Sequence, residues 1–181
     1  MRVSHWSRIL AGLTVMAPIP YVAYAEVYMT ENQAAEILFP GLKLQSSWID
    51  LTPQEIKAVE RASGKKWLSP HIHVWWGPNH EAVVIDRVVG KHEFITYAVA
   101  ITPEAQVKGI EIIEYKETYG YQVRQPQWRN QFVGKSVHNT LKVNKDISNI
   151  SGATLSCVHI TDGVRRVLNT YEILKSKSQT S

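Results

Sequence analysis

The chain has 181 residues, 44% hydrophobic and 20% charged, enough for one domain with a buried core and no reason for two. The formal charge of +4 comes without a Lys/Arg cluster, so composition does not point to nucleic-acid binding. The one cysteine, Cys157, excludes an intramolecular disulfide; it reads as a small buried apolar residue, and the fold must stand on its core.

Residues 1–25 have the order of a secretory signal peptide. Arg2, His5 and Arg8 precede the apolar run "ILAGLTVMAPIPYVA", and Ala23-Tyr24-Ala25 is a small-x-small cleavage site before Glu26. The run is short for a membrane span and is broken by Pro18 and Pro20. An extracytoplasmic location is therefore expected, periplasmic and at the membrane face. Two of the 20 basic residues, Arg2 and Arg8, and no acidic ones fall in this segment. The remainder carries 18 basic against 16 acidic residues, a net +2.

After the signal segment, residues 26–81 read as an N-terminal helical region followed by a first strand. In "TENQAAEILFPG", Thr30 and Gln33 form a capping-box pattern and Pro40-Gly41 a stop, which predicts a helix over Glu31–Phe39. In "LTPQEIKAVERASG", Thr52 is the expected N-cap, Pro53 the first helical residue, Glu55 the box partner and Gly64 the stop. The period then changes. "HIHVWW" alternates, and "AVVIDRVVG", "EFITYAVAIT" and "VKGIEIIEYK" are β-rich runs closed by turn residues, the pattern of a mostly antiparallel sheet. "QPQWRNQFVGK" reads as one or two helical turns with a glycine stop. From Ala153 onward, Ile160, Val164, Val167, Leu168, Tyr171 and Leu174 share one helical face, with Asp162, Arg165, Arg166, Asn169 and Glu172 opposite. The expectation is an amphipathic helix of about five turns and a short polar tail over 176–181. The fold class is α+β: N-terminal helices, a mostly antiparallel sheet and a long C-terminal amphipathic helix. The second functional unit runs over 82–175.

The stretch "SNISGATLS", Ser148 to Ser156, opens that last helix with small residues and a hydroxyl. Backbone N–H groups without partners and a positive dipole end favour an anion at such a place, and small residues let it approach. Ser and Thr are also ordinary helix caps, so physics alone leaves both readings open.

"SGATLS" resembles the attachment motif of the FMN-binding domain family. That family includes the flavin-carrying subunits of the sodium-pumping NADH:quinone oxidoreductase and of Rnf-type complexes. Segments "GKHEFITYAVAITPEAQVKGIEIIEYKETYGYQV", "WRNQFVGK" and "SGATLSCVHITDGVRRVL" resemble a branch of small exported members. The likeness spans about residues 82–170. It implies FMN joined through its phosphate to Thr154 by a flavin transferase, with Ser151, Gly152, Ala153 and Ser156 as motif neighbours. It further implies flavin contacts at Glu117 and Gly120 in "KETYGY" and at Trp128 and Lys135 in "WRNQFVGK". The implied role is electron transfer with a membrane redox partner, a flavocytochrome or a quinone-linked protein, rather than stand-alone catalysis. One departure is present: the family usually has an acid three positions before the motif Ser/Thr, and here that position is Ser148, with Asp146 the nearest acid.

The alternative is a non-catalytic module holding FMN reversibly, or a metal through His71, His73 and His80 of "HIHVWWGPNH", since alternate strand positions share a face. His92 reads as a turn residue or a flavin neighbour, and His159 as a helix-surface residue within reach of Thr154. No hydrolase or nucleotide-loop signature is present.

Overall fold

The computed structural model describes residues 26–66, 69–117 and 119–178; the expected signal peptide lies outside them. The two N-terminal helices form where their caps dictate. Helix α1 (Glu31–Leu38) starts at Thr30, whose hydroxyl accepts from the Gln33 N–H while the Gln33 side chain accepts from the Thr30 N–H. Helix α2 (Pro53–Ser63) repeats the box with Thr52 and Glu55 and ends at Gly64, left-handed at φ +69°.

Six strands form one sheet: β1 (Glu26–Val27), β2 (Gln45–Asp50), β3 (His71–Trp76), β4 (Ala82–Val89), β5 (Phe94–Ile101) and β6 (Val107–Tyr115). Their order is β1-β6-β5-β4-β3-β2 and every neighbouring pair is antiparallel. The class is thus α+β, as the pattern predicts. β1 and β2 were not expected: β1 has two residues, and β2 is an edge strand whose "QSSWID" exposes residues on both faces. The sheet runs without interruption through the β3–β4 pairing and so crosses residue 81.

Helices cover both faces. On one, α1 buries Ala34, Ala35 and Leu38 against Val83, Ala98 and Ala100. On the other, α4 (Thr154–Ser178) lays Ile160, Val164, Val167, Leu168, Tyr171 and Leu174 on Ile72, Val84, Val99 and Ile110. Each such aliphatic side chain contributes about 1.5–3 kcal/mol by leaving water. Double coverage explains why β5 reads as a near-continuous apolar run: Ile95 and Tyr97 to Ile101 are all buried. Helix α3 (Pro126–Arg129) and a 3-10 turn (Asn130–Phe132) realise the expected "WRNQF" turns and stop near Gly134 at φ +76°.

Two expectations for α4 are corrected. It has 25 residues, about seven turns rather than five, and continues to Ser178 through part of the expected tail. Ion pairing of Lys177 to Glu55 at 2.6 Å ties its end to α2. Arg166 is also buried rather than on the solvated face: its guanidinium meets Asp86 at 2.6 Å, and the Tyr97 hydroxyl donates to the same carboxylate oxygen. Gly163 permits that approach, since a Cβ there would lie 1.9 Å from the Tyr97 oxygen. Among the described residues no helix is long and apolar enough to cross a membrane.

Candidate functional site

Three segments distant in sequence meet at the start of α4: the turn between β4 and β5, the stretch after β6, and the Ser151–Ser156 turn. They enclose a cavity of about 340 Å³ whose wall includes Lys91, His92, Glu117, Tyr119, Gly152 and Thr154.

The Ser151-Gly152 turn is made by Gly152 at φ +82°, a left-handed conformation that a side chain would strain; a Cβ there would meet nothing within 4 Å. The helix then begins: the Ala153 carbonyl accepts from the Cys157 N–H at 2.9 Å. Ala153 and Cys157 are buried, and Thr154 is exposed. Thr154 therefore sits in the first turn, among N–H groups that have no partner within the helix, and lines the cavity. The Asn149 side-chain amide donates to Thr154 Oγ1 at 3.0 Å.

Ser156 faces inward. Its hydroxyl lies 2.9 Å from the Tyr115 hydroxyl, which donates to the Tyr119 carbonyl at 2.5 Å. A phenol has one proton, so Ser156 is the donor to Tyr115. Gly120 completes this corner at φ +94°; a Cβ would lie 2.5 Å from the Tyr115 oxygen and 3.2 Å from Ser156 Oγ.

Glu117 lines the cavity and also shapes it. Its Oε1 accepts from the His92 N–H at 2.5 Å and the Glu93 N–H at 2.9 Å, closing the β4–β5 turn. Burial pushes its carboxyl up, but the N–H groups of Glu93, His92 and Lys91 outweigh that and hold it below the ordinary range. Gly90 admits it, since a Cβ there would lie 2.5 Å from Oε1. His159 supports the same turn by donating from Nδ1 to the Val89 carbonyl.

Trp128 and Lys135 do not line this cavity. Trp128 is buried edge-to-face on Phe132, and its indole N–H donates to the Ser148 carbonyl at 2.9 Å. Gln131 accepts from the Ser148 N–H at 2.7 Å. Both residues hold the segment leading into the turn. Lys135 lies 3.8 Å from Asp146, whose carboxylate accepts from the Leu141 and Lys142 N–H groups. Burial raises the Asp146 carboxyl, and those N–H groups with Lys135 overcome it and hold it low. Asp146 is thus committed to its own loop.

Sequence reasoning missed Lys91, Tyr119, Leu155, Asn149 and Tyr115. Only the meeting of the β4–β5 turn with the α4 start brings them together, and no local pattern signals it.

The three histidines of the alternative reading are not brought together. His73 bonds Glu31 through Nδ1 and Ser46 through Nε2, each at 2.7 Å, and stacks on Trp48. His71 pairs with Asp50, and His80 lies in the β3–β4 turn at φ +67°. No group of three or more His, Cys, Asp or Glu able to hold a metal occurs among the described residues.

The cavity suits a flavin nucleotide by its donor set. Lys91, the open N–H groups of the α4 start and the Thr154 hydroxyl suit a phosphate, Tyr119 and Leu155 offer apolar surface, and the volume falls in the range of small-ligand sites. Comparison with curated proteins gives no match. A family model does match, over residues 90–169, a span that includes every wall residue of this cavity. That segment is an FMN-binding domain, and the cofactor it indicates is FMN.

Proposed function

We propose that this chain is an exported electron-transfer protein whose FMN is attached through its phosphate to Thr154 by a flavin transferase. Bound FMN would supply one- and two-electron transfer through its isoalloxazine ring. The chain's own residues do the holding. Lys91 and the N–H groups at the α4 start receive the phosphate charge. Gly152 keeps that approach open. Glu117 fixes the turn that carries Lys91 and His92, and the Tyr115–Ser156 pair holds the Tyr119 backbone at the cavity.

A covalent link suits a protein working outside the cytoplasm, where a dissociable cofactor is lost by dilution. Electrons would pass between a membrane partner, a flavocytochrome or quinone-linked protein, and a second acceptor. The observation that carries the reading is the position of Thr154: an exposed residue on the cavity wall, inside the segment matched to the FMN-binding domain.

The test is intact mass and peptide mapping of protein exported from a host with an active flavin transferase. A gain of one FMN less one water on the Thr154 peptide is expected, with an N-terminus at Glu26. A protein that reaches the same compartment with unmodified mass would overturn covalent attachment.

A further inference from the structure

The turn offers three hydroxyls within six residues, Ser151, Thr154 and Ser156, and the structure treats them differently. Ser156 gives its proton to Tyr115 inside the core. Ser151 precedes the helix. Thr154 alone receives the Asn149 amide, Nδ2 to Oγ1 at 3.0 Å. An amide N–H fills an acceptor site on the oxygen and leaves the hydroxyl proton uncommitted. It also restrains the Thr154 rotamer at the cavity wall. Asn149 can do this because the backbone beside it is held at both polar groups of Ser148, by Trp128 and by Gln131.

The geometry points to Asn149 as the residue that sets the Thr154 hydroxyl for phosphoryl transfer and selects it over its neighbours. This rests on the proposed attachment at Thr154. Ester formation from a free phosphate monoester and an alcohol is uphill in water, so the flavin donor must carry a phosphoanhydride, as a flavin dinucleotide does. Oγ1 attacks the phosphorus attached to the flavin side. The O–P bond to Thr154 forms, the anhydride P–O bond breaks, and a nucleoside monophosphate leaves. The hydroxyl proton passes to a base of the transferase. No electron is transferred in this step. Asn149 contributes orientation of the attacking oxygen.

The experiment is a time course of mass gain on full-length secreted protein with purified transferase and flavin dinucleotide, comparing wild type, Asn149→Ala and Asn149→Asp. Asp keeps the size of Asn but replaces its donor by an acceptor. Both variants are expected to lose about tenfold in the rate constant at saturation. The half-saturating protein concentration and the thermal midpoint should stay unchanged, which a merely structural role would not give. Wild-type rates in either variant overturn this inference alone, as does mass appearing on Ser151 of the wild type at the rate seen for Thr154. Absence of label on Thr154 of the wild type overturns the attachment reading, and this inference with it.

Discussion

The Ser156 hydroxyl and the Tyr115 hydroxyl stand 2.9 Å apart, joining the first turn of α4 to the end of β6 across 41 residues of sequence. Because Tyr115 passes its own proton to the Tyr119 carbonyl, the three groups form a directed chain that fixes one wall of the cavity. Tyr115→Phe leaves the buried Ser156 oxygen without its acceptor and should cost about 1–3 kcal/mol. Ser156→Ala removes the orphan and should cost about 0.5–1.5 kcal/mol. The double variant should be less destabilised than the two singles combined, since they share one interaction. Urea unfolding of all four proteins measures this; strict additivity would show that the pair does not couple.

Gly120 is held by two separate demands, a φ of +94° and the nearness of the Tyr115 oxygen. Gly120→Ala should therefore cost more than the roughly 1–2 kcal/mol of a left-handed non-glycine residue. The displaced Tyr119 should also weaken FMN binding. Thermal unfolding with and without added FMN tests both. A variant with the wild-type midpoint would show that neither constraint matters.

Thr154→Val should abolish covalent flavin and change stability by less than about 0.5 kcal/mol, because the side chain is exposed at a helix start and outside the core. Intact mass and the unfolding midpoint together decide it. Covalent flavin retained in this variant would remove Thr154 as the attachment residue.

The Glu117 carboxylate closes the β4–β5 turn, and its folded pKa lies below the ordinary value. A depressed folded pKa gives stability that is present above the unfolded value, about 4.3, and lost as pH falls through the lower folded value. Glu117→Gln removes the charge and should destabilise at neutral pH. The gap to wild type should shrink as the pH falls below the unfolded value and through the lower folded one. A gap independent of pH would show that the charge contributes nothing to the turn.

What could be read from the sequence was what is local. The α1 and α2 caps are decided by residues three apart, so Thr30–Gln33 and Thr52–Glu55 announced both helices. The buried face of α4 followed from its period. β2 was missed because an edge strand with polar residues such as Gln45 and Ser46 carries no burial pattern. The buried state of Arg166 was missed because its partner Asp86 is 80 residues away. At the site, Thr154, Gly152 and Glu117 were marked by resemblance, whereas Lys91, Tyr119 and Asn149 depend on the meeting of separate segments. Trp128 and Lys135, also marked, act on the loops behind the turn.

Tyr171 gives a final test, at the alkaline end. Its ring is buried on α4, and its hydroxyl donates to the His80 carbonyl at 2.8 Å, with the Thr102 carbonyl at 3.3 Å. Burial first, and then the charges of Glu172, Glu104 and Glu81, push its pKa up to about 12. A raised folded pKa gives stability that is full below the unfolded value, about 10, and is lost as pH rises through the folded one. Between these values the unfolded chain ionises while the native phenol stays protonated, so wild-type stability should decline. Tyr171→Phe should be less stable than wild type at neutral pH, since the His80 carbonyl loses its donor. It should also lack this alkaline decline, so the two stability curves converge above about pH 10. Denaturant midpoints across that range measure the convergence, and parallel curves would show that Tyr171 ionisation does not govern the alkaline limit.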